Sequence, residues 1–159
     1  MDRIAIYIDP GDDTGWSRWD LRELTACGLA HYPKDYPELP HIIGLPDEGL
    51  DLYIELPQDY GSNRQTDPNK LIVLGVKVGD ILGAYRQIYH LLKKPLSYNL
   101  VWPQSWKGQV PKPIHHDRHL PKLTPREKMI LQAALERCPK GQRHNIKDAV
   151  VFGLWGSKR

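Results

Sequence analysis

The chain opens on a short run of apolar and β-branched residues, Ile4 to Ile8, that stops at Asp9-Pro10-Gly11, the pattern of a buried strand ended by a turn. Gly15 to Asp20 and Leu24 to Tyr32 read as two further strands, and connections this short imply antiparallel neighbours. Residues 33–50 carry Pro33, Pro37, Pro40 and Pro46 with little periodicity, which predicts an irregular segment with one short helix near His41 to Leu45. A fourth strand is expected over Leu52 to Leu56, ended by Pro57 because proline cannot donate to a ladder. After a polar loop, Gln58 to Asn69, apolar residues at 71, 74, 78, 81, 82, 85, 88, 89 and 92 form one broad stripe at helical spacing. Leu96 to Trp102 is a fifth strand. Thr124-Pro125-Arg126-Glu127 is a capping box with proline at the first helical position, opening a helix to about Arg137, and a last helix is expected over Ile146 to Trp155. This order predicts an α/β fold, a mixed five-stranded sheet with helices on both faces.

Composition narrows the class. With 159 residues and 40% apolar content, the chain is expected to form one domain over residues 1–159. Cys27 and Cys138 lie far apart and show no metal-ligand spacing, so they read as reduced thiols of a cytoplasmic protein. The acidic start, MDRIAIYIDPGDD, is unlike an export signal. Lys77, Asp80, Arg86 and His90 interrupt the long apolar stretch and argue against a membrane span. A net charge of +3 decides little by itself. Its distribution says more: Lys107, Lys112, Arg118, Lys122, Arg126 and Lys128 gather in one basic arm, while acids gather near Asp9, Asp12 and Asp13 and over residues 35–59.

Three acids sit on rigid elements. Asp9 ends the first strand, Glu55 stands near the end of the fourth, and Asp148 lies in the last helix. If those two strands are neighbours, their acids meet at one sheet edge, where open sheets place ligands, and Asp148 can close the cluster. Three converging carboxylates need a counter-charge, and hard oxygen ligands suit Mg²⁺ or Mn²⁺. Two such ions about 4 Å apart can activate a water and stabilise the leaving oxygen of a phosphodiester.

The blocks Ile8-Asp9-Pro10-Gly11, Thr14-Gly15-Trp16, Tyr53-Ile54-Glu55, Leu74-Gly75, Trp102-Pro103-Gln104-Ser105-Trp106-Lys107, Arg126-Glu127-Lys128 and Lys147-Asp148-Ala149 resemble, in order, the RuvC family of Holliday junction resolvases, members of the ribonuclease H-like superfamily. The resemblance runs from about residue 4 to residue 155. It implies a homodimeric, Mg²⁺-dependent endonuclease that nicks a four-way DNA junction symmetrically. It further implies that Asp9, Glu55 and Asp148 bind metal, and that Lys107 and Lys128 hold DNA near the scissile phosphate. Lys112 and Arg118 belong to the same basic arm and are DNA-binding candidates. Tyr60, in the loop after Glu55, is the candidate to stack on opened bases. The chain departs from the family in its Pro-rich segment 33–50, in the longer connection from Val110 to Leu123, and at the position three residues before Asp148. There the family usually has an acid or a histidine and this chain has Asn145. Either Asn145 is only the N-cap of the last helix, or His144 or Asn145 is a fourth active-site group. The small size and this atypical position suggest a divergent, phage-encoded member.

Gly75, Gly79 and Gly83 line one face of the long helix, where either close packing on the sheet or approach of a second subunit explains them. His115, His116 and His119 have zinc-ligand types without a cysteine partner, and read as phosphate or surface contacts. Asp12 and Asp13 read as turn residues. Two rival functions remain: a ribonuclease H-like nuclease acting on RNA or other branched DNA, and a catalytically silent DNA-binding module. Unneeded buried carboxylates are costly, which disfavours the second.

Overall fold

The computed structural model describes residues 4–47, 49–58, 67–108 and 110–157. A five-stranded mixed sheet in the order β3-β2-β1-β4-β5 forms its centre, from β1 (Ile4–Asp9), β2 (Asp13–Asp20), β3 (Glu23–His31), β4 (Leu50–Glu55) and β5 (Leu96–Val101). The first three strands are antiparallel neighbours, as their short connections require; β1 with β4 and β4 with β5 are parallel. A two-residue turn, Leu21-Arg22, joins β2 to β3 with φ at 50° and 69°, the left-handed pair that matches the twist of a hairpin. In the Pro-rich segment the short helix α1 (Leu39–Ile43) starts two residues before the predicted position. Helix α2 (Pro68–Leu91) provides the crossover that parallel β4 and β5 need.

Strand alternation sorts the core onto two faces. Ile6, Ile8, Leu50, Leu52 and Ile54 point to one side and meet Val78, Ile81, Tyr85 and Tyr89 of α2. Tyr7, Trp19 and Leu24 point to the other and meet α5 (Pro125–Glu136) and α6 (Arg143–Gly156) through Leu131, Leu135, Val150 and Phe152. Each fully buried side chain of this size contributes about 1.5–3 kcal/mol. The predicted capping box is present: Glu127 receives the backbone N–H of Thr124 at 2.7 Å, and also that of Leu24 at 2.9 Å, tying α5 to β3.

Helix α6 is seated by its backbone. A Cβ on Gly15 would overlap the carbonyl of Asn145, and one on Gly153 would overlap the Trp19 indole. Ser17 Oγ donates to the carbonyl of Ala149 at 2.7 Å and receives Trp19 Nε1 at 2.9 Å. This helix begins at Arg143, three residues before the predicted Ile146, with Gln142 as its N-cap. Asn145 is therefore inside the first turn, and its reading as the N-cap is wrong; a 3₁₀ turn, Lys140–Gln142, leads the chain directly into the helix.

The glycines of α2 also differ from one of their two readings. Among the described residues nothing lies within 4 Å of a Cβ built on Gly75, Gly79 or Gly83, so they do not pack on the sheet. Ile72, Val73 and Val76 are exposed on the same helix. Among the described residues, no helix is long and apolar enough to cross a membrane.

Candidate active site

Strand register brings the first two acids together. Ile8 pairs with Ile54 in the parallel β1–β4 ladder, so Asp9 and Glu55 are the next residues on neighbouring strands, at a spacing of about 4.8 Å. Both follow Tyr7 and Tyr53 by two residues, and those rings stack on the α6 side of the sheet. The carboxylates thus project toward α6. Asp9 also pairs with Gly15 of β2, the residue on which the Asn145 backbone rests. One helical turn later, Asp148 is 3% exposed and faces the same sheet edge. Pro10 and Pro57 explain why the strands stop where the acids stand.

Each acid has a different set of partners. Glu55 receives Lys107 Nζ on both oxygens, at 2.8 and 2.9 Å, and Trp106 Nε1 at 2.8 Å. Both donors come from α3 (Pro103–Trp106) and its C-cap, immediately after β5. Asp148 receives His116 Nε2 at 2.7 Å and pairs with Lys112 Nζ. An ionised carboxylate only accepts, so His116 carries its proton on Nε2 here. Asp9, half-buried, accepts no hydrogen bond among the described residues.

The electrostatics follow from that difference. Burial, with Glu55 and Asp148 adding repulsion against the pull of Lys107, pushes the Asp9 carboxyl up to about 8. Burial also raises Glu55, opposed by the Lys107 ammonium and the Trp106 hydrogen bond. For Asp148 burial acts in the same direction, but the His116 hydrogen bond and the Lys112 charge outweigh it and hold the carboxyl below its ordinary range. Burial works against the Lys107 ammonium, yet Asp9 and Glu55 raise its pKa overall. Among the described residues no three His, Cys, Asp or Glu side chains stand in a ready metal-binding geometry. Lysine ammonium groups are instead the counter-charges of Glu55 and Asp148. The donor set, three carboxylates of which Asp9 makes no ion pair among the described residues, nevertheless fits a hard divalent cation.

The remaining predicted residues separate. Lys107 and Lys112 lie in the acidic site itself, while Lys128 and Arg118 are exposed on α5 and on α4 (Lys112–His119). His144 is exposed and Asn145 half-buried, and neither side chain bonds to the three acids among the described residues. Tyr60 lies outside the described residues. Asp12 pairs with the buried Lys77, and Asp13 with His31 at 2.8 Å, so both brace the turn after Asp9. His116 was missed as an acid's partner. The signal was its spacing: Lys112 and His116 are four apart and share one face of α4, while His115 and His119 share another, over Trp106.

No family model matches the chain, and no curated protein matches it in sequence. Solved structures do. A complex of the Fowlpox virus resolvase with substrate Holliday junction DNA aligns with a TM-score of 0.53 over 98% of this chain and 97% of that one, at 14% identity. T. thermophilus RuvC in complex with a Holliday junction substrate aligns over 96% of this chain and 90% of that one, at 15% identity and a TM-score of 0.39. This chain therefore shares its fold with the Fowlpox virus protein, a five-stranded mixed sheet with helices. The predicted mixed sheet with helices on both faces is that fold, and the acids occupy the edge of its two central parallel strands.

Proposed function

We propose that this protein is a Holliday junction resolvase, a Mg²⁺-dependent endonuclease that acts as a homodimer and nicks two strands of a four-way DNA junction symmetrically. The observation that carries the reading is the meeting of Asp9, Glu55 and Asp148 on one buried sheet edge of a resolvase-like fold. A buried acidic triad is costly unless something uses it.

In this reading Asp9, Glu55 and Asp148 hold two Mg²⁺ ions, for which Mn²⁺ can substitute. The ions supply Lewis acidity for phosphodiester hydrolysis. The chain's own residues do the rest. Asp9, whose carboxylate accepts no hydrogen bond among the described residues, would be open to a cation. Trp106 Nε1 orients Glu55, and His116 Nε2 orients Asp148, each fixing one oxygen, while Lys107 and Lys112 stand on the other oxygen, where a cation would bind. Lys107 and Lys112, which stand on Glu55 and Asp148, would supply positive charge to the phosphates of the bound strand.

The dimer rests on α2. Its outward glycines permit close backbone approach, and Ile72, Val73 and Val76 surround them with exposed apolar surface. Tyr98 and Leu100 on the edge strand β5 are exposed beside it, Arg86 of α2 lying over the Tyr98 ring at 5.9 Å. A self-complementary contact there would give a twofold pair of active sites for a twofold substrate.

The test is a purified sample with Mg²⁺ or Mn²⁺ offered a four-way junction, a Y-fork, duplex DNA and an RNA–DNA hybrid, with Asp9→Asn as control. Paired symmetric nicks on the junction support the proposal. Cleavage of the hybrid instead would assign the protein to RNA, and junction binding without cleavage would make it a silent module.

A further inference from the structure

We infer that a cavity beside the acidic site, which shares His116 with it, holds one unpaired nucleotide of the DNA strand next to the cleaved phosphate. This deepens the resolvase proposal and rests on it. The cavity, about 450 Å³, lies between the 3₁₀ turn Leu120–Lys122, α5 and α6. That volume is within the range of small-ligand sites.

Its walls match the two halves of a nucleotide. Leu120, Leu123 and Leu131 give it an apolar lining, and Leu123 and Leu131 are buried. Such a lining suits the flat face of a base. Lys128 and Lys147 also line it, against the single carboxylate of Asp117. Among the described residues neither lysine has a carboxylate partner, unlike Lys107 and Lys112, which the acids hold. They are available for phosphate.

Position completes the argument. His116 lines the cavity and binds Asp148, and Lys147 immediately precedes Asp148 on α6. A strand with its scissile phosphate at the acids would thus bring a neighbouring base to the cavity mouth. Extruding a base costs least where pairing is already broken, which is the condition at a branch point. The α4 segment and the turn that wall the cavity belong to the connection from Val110 to Leu123, the part of the chain that departs from the resolvase pattern.

The test uses four-way junctions with 2-aminopurine placed singly at each position around the exchange point, bound in EDTA so that no cleavage intervenes. Among the described residues the lining contains no Trp, Tyr or Phe to quench the probe. One position should brighten on binding. Leu120→Trp, at the half-buried wall, should abolish that brightening, with circular dichroism confirming that the variant is folded. Lys128→Glu and Lys147→Glu should each lower the slope of log affinity against log salt by about one. Brightening that survives Leu120→Trp, or junction binding at full affinity with no brightening anywhere, would overturn the pocket and leave the resolvase reading standing. So would a free deoxynucleotide that binds the cavity without competing with the junction. Absence of junction binding by the wild type would overturn both.

Discussion

Helices α2 and α6 cover opposite faces of one sheet and use the same residue in opposite ways. In α6 the small residues turn inward: Gly153 admits the Trp19 indole, and Gly15 of β2 admits the α6 backbone itself. That close seat lets Asp148 reach the strand ends that carry Asp9 and Glu55. In α2 the glycines turn outward into open space, amid exposed apolar side chains, and the sheet contact is made by larger residues such as Ile81 and Tyr85. Glycine costs a helix up to about 1 kcal/mol relative to alanine. On the inner face the cost is offset by packing within the chain; on the outer face the described residues offer no compensation, and the proposed second subunit would supply it.

Several substitutions break or sharpen this contrast. The largest effect is chemical: Asp9→Asn or Asp148→Asn should lower junction nicking by roughly a thousandfold, equivalent to about 4 kcal/mol of transition-state stabilisation, with junction affinity retained in EDTA. Rates and band-shift titrations check both halves. Next, His116→Ala should lower nicking about 10–100-fold by releasing Asp148, and the loss should appear also as weaker Mn²⁺ binding by calorimetry. Gly15→Val should destabilise the fold by about 1–3 kcal/mol, because the α6 backbone must move. Gly79→Leu should instead stabilise the protomer by up to about 1 kcal/mol, the helix cost of glycine, and convert the proposed dimer to monomer by sedimentation. A dimeric Gly79→Leu protein would break the comparison.

A last effect is on pH-dependent stability. The Asp9 carboxyl is raised in the folded chain to about 8 from an ordinary value near 4, so in chelator its contribution is full below about pH 4 and is lost as pH rises toward 8. Asp148 has the opposite sign: its pKa is lowered, so its contribution is present at neutral pH and is lost in acid. Thermal midpoints in EDTA should therefore fall between pH 5 and pH 8 for the wild type and stay flatter for Asp9→Asn, with Mg²⁺ restoring the wild type at the alkaline end.

Much of the sheet and two of the acids were legible in sequence because local chemistry marks them. Proline stops the chain just after Asp9 and two residues after Glu55, and the capping box at Thr124 names its helix directly. What was not legible depends on tertiary placement. Asn145 looks like an N-cap, but the 3₁₀ turn before Arg143 lets the helix start a turn earlier. The face of α2 that meets the sheet was ambiguous because apolar residues surround that helix, Ile72 and Val76 outward and Ile81 inward. Lys112 and His116 read as part of a basic arm, since nothing local to α4 says that Asp148, more than thirty residues away, is its partner.

The most direct measurement is cleavage of a supercoiled plasmid carrying an extruded cruciform, where the order of products reports both the chemistry and the pairing of sites. Wild-type protein with Mg²⁺ should convert the plasmid to linear product within the lifetime of one complex, and Asp9→Asn should leave it supercoiled. Accumulation of nicked circles alone, or linear product that persists in Asp9→Asn, would contradict the account.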